Sequence, residues 1–173
     1  INKATKLSDK FLNSDKGYIA EVTLGVSTST DDSEGEIIFQ SEVKTSLNQI
    51  ELSLKQFRGK SMQIPPFFSA LKHKGKPLYK YARDGEYITK PAREITVHEI
   101  KDFKACLPRI TFEIYCSKGT YIRSIARDLG ESLGCGGHLS GLIRVLQGPF
   151  SLKNALTLDD LNWDHLIPLE ELQ

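Results

Sequence analysis

The segment Cys116–His138 (CSKGTYIRSIARDLGESLGCGGH) constrains the fold more than any other part of the sequence. The preceding residues, Ile110–Tyr115, alternate like a strand, Ser-Lys-Gly predicts a tight turn, and a helical pattern runs over Thr120–Leu133. Arg123 lies one turn into that helix, and Lys118 lies in the turn before it. A helix N-terminus favours negative charge, because its backbone N–H groups are unpaired and its dipole is positive there. The segment therefore predicts a strand–turn–helix unit that fixes a cation beside an anion-binding helix end.

Strand and helix signals alternate along the rest of the chain. The predicted strands are Tyr18–Val26, Glu36–Gln40, Ile95–Phe103 and Arg109–Cys116. The predicted helices are Leu47–Phe57, Leu78–Gly85, Thr120–Leu133 and His138–Leu146. The pair Pro65-Pro66 makes residues 63–70 extended rather than helical. Together these segments predict an α+β fold, in which strands pair around a few helices.

Composition excludes several classes of protein. The chain has 173 residues, of which 39% are hydrophobic and 26% charged, as in an ordinary globular chain of one domain or slightly more. No apolar run approaches the roughly 20 residues that span a bilayer, so no membrane association is expected. Cys106, Cys116 and Cys135 are odd in number and lack the spacing of metal ligands. We therefore expect reduced thiols in a cytoplasmic protein without a metal site.

Charge is distributed unevenly. Residues 58–83 hold seven lysines and arginines and no acidic residue, although the whole chain has a net charge of only +1. Aromatic residues lie among these cations: Phe67, Phe68, Tyr79 and Tyr81. This mixture suits an RNA backbone with splayed bases that stack on rings. From charge alone, a solvated surface above core aromatics is an equally good interpretation.

Five ordered motifs resemble those of the bacterial tRNA pseudouridine-55 synthase (TruB) family. They are KATKLSDKFLNSDKGY, which ends at Tyr18, LGVSTSTDDSEG, which contains Asp32, IPPFFSALKHKGKPLYKYARDG, CSKGTYIR, which contains Arg123, and GCGGHLSGLIR, which contains Leu142. One departure is Thr28-Ser29-Thr30, where the family usually has Thr-Asp-Thr. The resemblance covers nearly the whole chain and implies a pseudouridine synthase fold, with a mixed or antiparallel sheet flanked by helices and a basic RNA-binding insertion.

The resemblance also implies a function. It is the isomerisation of the T-loop uridine of tRNA to pseudouridine, without cofactor or metal, by a protein expected to be monomeric. Arg123 would keep a catalytic carboxylate ionised and oriented, and Asp32 would orient Arg123 from its other side. Tyr18 would offer its ring to the flipped uracil and its phenol to the C5 proton, and Leu142 would close the pocket against water. The residues expected to contact the T-arm are Lys72, Lys74, Lys76, Tyr79, Tyr81, Arg83, Lys118, Tyr121 and Arg144.

The aspartate that carries the family's central step belongs to a G-x-L-D motif, and this sequence does not contain it. We therefore expect that this polypeptide alone forms no pseudouridine. Residues 1–158 are expected to be a partial catalytic domain with the insertion at about 60–93, and residues 159–173 a tail or linker. The alternative is a non-catalytic tRNA-binding or tRNA-folding module.

Other candidate motifs give weaker evidence of a functional role. Gly134–His138 (GCGGH) lacks the Gly-Lys-Ser/Thr of a phosphate loop and is better explained as a helix C-cap followed by a turn. The carboxylates of Asp15, Asp31 and Asp128 lie in none of the family's catalytic motifs, so none is expected to replace the missing aspartate.

Overall fold

The computed structural model describes residues 2–172, so the terminal residues of the predicted domain and tail, Ile1 and Gln173, lie outside the described residues. The strands are β1 Lys16–Leu24, β2 Val26–Thr28, β3 Ile37–Gln40, β4 Gly59–Gln63, β5 Lys72–His73, β6 Lys76–Pro77, β7 Arg93–Cys106, β8 Arg109–Cys116, β9 Gly137–Gln147 and β10 Phe150–Ser151. The α-helices are α1 Ser8–Leu12, α2 Leu47–Gln56, α3 Leu78–Arg83 and α4 Ile122–Ser132. Short 3₁₀ helices are Asn2–Leu7, Leu152–Asn154, Trp163–His165 and Leu169–Leu172.

An antiparallel sheet organises the described part of the chain. Its six strands run in the order β10-β9-β1-β8-β7-β4, while β2 pairs with β3 and β5 pairs with β6 in two small separate hairpins. β1 lies between β8, which precedes α4, and β9, which follows it. This arrangement confirms the predicted α+β class and the antiparallel sheet flanked by helices.

The core forms between one face of the sheet and the helices α2 and α4. Along β1, Ala20, Val22 and Leu24 are buried and alternate with half-buried residues, as expected for a strand with one face in the core. α2 begins with a capping box, in which Ser46 accepts from the Gln49 backbone N–H and Gln49 accepts from that of Ser46. The other buried core residues include Ile50, Leu54, Ile110, Phe112, Ile114, Ile125 and Leu129.

The prediction of a helix at His138–Leu146 is wrong, because Gly137–Gln147 is strand β9. The apolar residues Leu139, Leu142 and Leu146 have helical spacing in the sequence, at i, i+3 and i+7. In the structure the pairing of β9 with β1 shifts register twice, and each irregularity adds a residue on β9. The two extra residues hide the strand alternation, so that a strand has the apolar spacing of a helix. The other predicted helices and strands are confirmed, with ends shifted by a few residues.

The predicted insertion is a distinct structure between β4 and β7. Residues 64–71 are an irregular loop, the β5–β6 hairpin follows, and α3 begins directly after the hairpin. Lys74 and Gly75 occupy the two-residue turn with φ of 48° and 82°, the left-handed geometry that such hairpins require. This turn places the exposed Lys74 side chain at the tip of the hairpin.

After β10 the described chain is exposed and mostly irregular. Leu158 and Trp163 have 90% and 82% of their surface accessible, and the only regular elements up to residue 172 are 3₁₀ turns. Within residues 2–172, no helix combines the length and apolar character needed to cross a bilayer.

Candidate active site

Arg123 is the centre of the candidate site. It is the second residue of α4, and its guanidinium donates to the Thr30 carbonyl at 3.2 Å and to Asp32 Oδ2 at 2.9 Å through one nitrogen. The other terminal nitrogen donates to the Phe68 carbonyl at 2.6 Å. These acceptors come from the turn after β2 and from the loop at the base of the insertion. The side chain is therefore held from two directions while a quarter of it (24%) stays accessible to solvent.

Asp32 is fixed as firmly as the arginine that it binds. The Thr30 hydroxyl and the Glu34 backbone N–H both donate to Oδ1, the latter at 3.1 Å. The Thr28 hydroxyl donates to the Asp32 carbonyl at 2.6 Å, and a bridge joins Asp32 to Leu139 of β9. With Oδ1 held by the turn, Oδ2 faces Arg123 in one orientation. The structure thus brings together the predicted pair, at charge-assisted hydrogen-bond distance.

A cavity of about 330 Å³ opens beside this ion pair. The residues that line it come from the turn, α4 and β9: Asp32, Ser33, Glu34, Arg123, Leu139, Ser140, Gly141 and Leu142. Three larger clefts, of about 710, 540 and 350 Å³, are lined by other residues. None of the three has Arg123 or Asp32 in its wall, so the smaller cavity is the better candidate for chemistry.

Leu142 and Tyr18 lie on one face of the sheet. In the antiparallel pairing, Ala20 is opposite Leu142 and Tyr18 is opposite Arg144, and directly paired side chains share a face. Leu142 lines the cavity and is 45% exposed, so its side chain is available to a bound molecule. Tyr18 is half-buried against the core two residues along β1 and lies outside the cavity lining. The structure therefore brings Arg123, Asp32 and Leu142 to one cavity and Tyr18 to the neighbouring part of the same sheet face.

Burial changes the acid–base behaviour of this face. Burial raises the pKa of the Tyr18 phenol, and nearby Cys116 raises it further although Arg144 opposes both. Burial also raises the pKa of the Cys116 thiol, to about 11. Both groups are consequently neutral at physiological pH, and the phenol of Tyr18 keeps its proton available for donation.

The start of α4 is bonded to the base of the insertion. The Gln63 side chain bonds both backbone groups of Tyr121, accepting from its N–H at 2.8 Å and donating to its carbonyl at 3.1 Å. The Ser124 hydroxyl donates to the Ile64 carbonyl at 3.0 Å. Gln63 is 2% exposed, so these bonds are shielded from water. The helix that carries Arg123 and the loop that leads to the insertion therefore form one hydrogen-bonded unit.

The predicted RNA-binding residues of the insertion form a basic surface in which some cations contact aromatic rings. Lys76 lies 4.5 Å from the centre of the Tyr81 ring and pairs with Asp84, just beyond the acid-free window. Arg83 lies over the Tyr79 ring at 5.4 Å. Lys72 and Lys74 are exposed at the hairpin.

The other predicted RNA contacts lie in the turn before α4, at the start of α4 and on β9. Lys118 donates to the Asn13 side chain at 2.9 Å, Tyr121 is the N-cap residue of α4, and Arg144 is exposed on β9 beside Tyr18. Cations therefore extend from the insertion to the sheet face that holds Tyr18.

Sequence reasoning missed several members of the site. The carbonyls of Thr30 and Phe68 bind Arg123 through the backbone, and no residue-type pattern reveals them. Arg127, one turn beyond Arg123 on α4, binds Asp31 at 3.1 Å. Its i+4 spacing from Arg123 could have placed both arginines on one helix face, but it does not reveal the aspartate partner. Among the side chains that the structure describes, no group of three or more His, Cys, Asp or Glu residues could hold a metal.

Comparison with known proteins decides the family. Residues 1–122 match the model described as TruB family pseudouridylate synthase (N terminal domain), and residues 123–171 match the tRNA pseudouridylate synthase B C-terminal domain. The chain belongs to the TruB family of pseudouridylate synthases. The two TruB matches meet at the start of α4. Both contribute strands to one sheet, because β9 of the second match pairs with β1 of the first.

Curated relatives agree with the TruB assignment. The chain is 44% identical over 162 residues to tRNA pseudouridine synthase B of Burkholderia mallei (strain NCTC 10247), covering 94% of this chain and 54% of the relative. It is 47% identical over 161 residues to tRNA pseudouridine synthase B of Psychromonas ingrahamii, covering 93% and 52%. The chain therefore spans about half the length of the curated relatives that it matches.

Solved structures show the same fold. A chain from the crystal structure of a Cbf5-Nop10-Gar1 complex superposes with a TM-score of 0.67 at 27% identity, covering 93% of this chain and 39% of that one. A chain from the structure of an H/ACA RNP bound to a substrate RNA containing 2'-deoxyuridine superposes with a TM-score of 0.64 at 23% identity, over 93% and 37%, a likeness that supports the fold alone. The expected pseudouridine synthase fold is confirmed by these comparisons.

Proposed function

We propose that this chain is the arginine-bearing part of a tRNA pseudouridine(55) synthase, which isomerises the T-loop uridine of tRNA. The observation that carries the proposal is the Arg123–Asp32 pair on the wall of the 330 Å³ cavity, with Leu142 on the same wall. The membership of the chain in the TruB family supplies the reaction class.

The reaction breaks the bond between N1 of the uracil and C1′ of the ribose and re-forms it through C5. An aspartate carries this step in the family, and Arg123 would hold such a carboxylate ionised and correctly oriented. Asp32 would neutralise the opposite side of the guanidinium and keep the plane of the fork fixed. Because the Thr30 and Phe68 carbonyls also hold Arg123, the group would be preorganised before RNA binds.

Tyr18 and Leu142 would manage the extruded base. The Tyr18 ring offers a stacking surface, and its phenol is protonated at neutral pH because burial raises its pKa. It could therefore take the C5 proton only as its own proton passes to N1, which must gain one when C5 loses one. The exposed Leu142 side chain would pack against the uracil and exclude water from the cavity.

The substrate would be gripped by the basic surface of the insertion. Exposed Lys72 and Lys74 at the hairpin would contact phosphates, together with Lys118 in the turn before α4 and Arg144 on β9. Arg83 over Tyr79, and Lys76 over Tyr81, form cation–ring surfaces that suit unpaired bases. We propose a monomer that acts on the T-arm in the cytoplasm, without a cofactor.

The test is tritium release from a T-arm RNA that carries [5-³H]uridine, since C5 loses its hydrogen when it joins C1′. It uses the complete translation product of the gene and its Arg123→Ala variant. Loss of a preorganised cation should lower kcat about 100- to 1,000-fold. The Kd for the RNA should change less than threefold, because the insertion still binds.

Lys55→Gln is the matched control, because it removes an exposed helical cation whose partner is Glu51. Equal losses in kcat and affinity for Arg123→Ala would contradict the catalytic role and leave Arg123 as an RNA contact. RNA binding without any tritium release by the complete wild-type protein would favour the non-catalytic tRNA-binding or tRNA-folding module. We expect the 173-residue chain assayed alone to release no tritium.

A further inference from the structure

Arg123 has a neighbouring cation on its own helix. Arg127 follows it by four residues on α4, and residues with this spacing share one helix face. Arg127 reaches the same turn as Arg123, where its guanidinium donates to Asp31 Oδ2 at 3.1 Å. It also contacts Asp128 Oδ1 at 2.7 Å and the Ile64 carbonyl at 3.3 Å. Two adjacent arginines are thus paired with two adjacent aspartates, Arg123 with Asp32 and Arg127 with Asp31.

Asp31 occupies an unusual position in this turn. Its φ is 62°, in the left-handed region that few residues other than glycine, asparagine and aspartate adopt. Its carbonyl accepts from the Leu139 N–H at 3.0 Å, which fastens the turn to the cavity wall. Its side chain is only 17% exposed, so the carboxylate has lost most of its water. A carboxylate in this situation needs a protein cation.

The cations available to Asp31 are the two arginines of α4. Arg127 and Arg123 both lower the pKa of Asp31, although burial outweighs them and raises it overall. Burial lowers the pKa of the Arg127 guanidinium, but the carboxylates of Asp128 and Asp31 more than compensate and raise it. Without Arg127, the nearest compensation for the buried Asp31 charge would be Arg123.

We propose that Arg127 is a positioning residue, which holds the Asp31 carboxylate so that it does not compete with the catalytic carboxylate for Arg123. This inference rests on the proposed function for its effect on turnover. Both Arg127 and Asp31 lie outside the cavity lining. Loss of Arg127 harms the site because the Asp31 carboxylate is then without its partner, and removal of the Asp31 charge repairs the damage.

The experiment compares Arg127→Gln with the double variant Asp31→Asn/Arg127→Gln in the complete translation product. Asparagine keeps the left-handed backbone and the size of Asp31 while removing its charge. We expect Arg127→Gln to lower kcat about tenfold with KM for the T-arm RNA within twofold. The double variant should regain most of that loss. Lys55→Gln serves again as the control for loss of a helical cation.

A second measurement reads Arg123 directly, through the NMR signals of its guanidinium protons. Arg127→Gln should shift these signals, and the double variant should return them to the wild-type position. A double variant that is as slow as Arg127→Gln, or slower, overturns the proposal, because a purely structural role predicts that two lesions add. Should Arg127→Gln fail to fold, Arg127→Met, which keeps the side-chain length and removes the charge, gives the same comparison with and without Asp31→Asn.

The two proposals can fail separately. If the wild-type protein releases no tritium, the proposed function fails, and the guanidinium signals alone judge the positioning claim. Arg123 signals that do not respond to Arg127→Gln overturn that claim whether or not the protein is active.

Discussion

Gly130, in the last half of α4, provides a sharp test of how this helix packs. In an open helix, replacing glycine by alanine stabilises the protein by about 1 kcal/mol, because alanine loses less conformational entropy on folding. Here a Cβ on Gly130 would lie 2.2 Å from both Gly136 C and Gly137 N, and 2.6 Å from the Gly136 carbonyl oxygen. Those contacts are backbone atoms, which cannot turn aside as a flexible side chain can.

The residues opposite Gly130, which lead into β9, are themselves held by hydrogen bonds. The Cys135 and Gly136 N–H groups both donate to the Gly130 carbonyl, at 3.1 and 2.9 Å, and the Gly136 carbonyl accepts from Gly25 at 2.9 Å. To restore ordinary contact at 3.4 Å, the two backbones must separate by about 1.2 Å. Overpacking of this kind costs about 3 kcal/mol at the upper end of its usual range. Subtracting the helix-propensity gain leaves a net destabilisation of about 2 kcal/mol.

The assay is thermal and urea unfolding of Gly130→Ala against wild type. For a chain of this length, about 2 kcal/mol corresponds to a Tm lower by about 4–8 °C. Gln56→Ala, at an exposed position at the end of α2, is the control and should stay within about 0.5 kcal/mol. A Gly130→Ala protein as stable as wild type, or more stable, would refute the close approach of α4 and β9.

Two further predictions concern the surface. At pH 8 we expect a disulfide-exchange reagent to label the exposed Cys106 rapidly and to leave the buried Cys116 and Cys135 unlabelled until the protein unfolds. Burial raises the pKa of Cys116 to about 11, which leaves roughly one thiolate in a thousand at that pH, so fast labelling in Cys106→Ser would contradict the structure. Lys74→Ala should weaken RNA binding and reduce the slope of log Kd against log salt by about 0.7–1, as measured by filter binding. Lys55→Ala should leave that slope unchanged, and equal slopes for both variants would remove Lys74 from the RNA surface.

Most of the fold could be predicted from the sequence because most elements follow a simple period. β1 alternates cleanly over Ala20, Val22 and Leu24, and α2 begins at a recognisable cap at Ser46. β9 could not be predicted, because its two irregularities are set by its pairing with β1. That pairing joins residues more than a hundred positions apart, and no local pattern encodes it.

Likewise, some members of the candidate site could be predicted from the sequence and others could not. Arg123, Asp32 and Leu142 were predicted from ordered motifs, and the structure places all three on one cavity. The carbonyl partners of Arg123 are backbone groups, whose positions depend on the path of the chain rather than on residue type. The pairing of Arg127 with Asp31 follows only when α4 and the turn after β2 are known to meet.

The position of β1 between β8 and β9 has a consequence for biosynthesis. When the ribosome has released the chain up to Cys116, the insertion and its flanking strands β4 and β7 can form, and β1 can pair with β8. The part of the cavity wall on α4 and β9 is still missing. The part of the cavity wall that contains Leu142 forms only after α4 has folded and β9 has paired with β1. During translation, the basic hairpin that would meet RNA is therefore available before the pocket that would receive a base. Premature release between these two points would leave a nascent chain whose basic hairpin is exposed and whose β1 edge is unpaired and open to water.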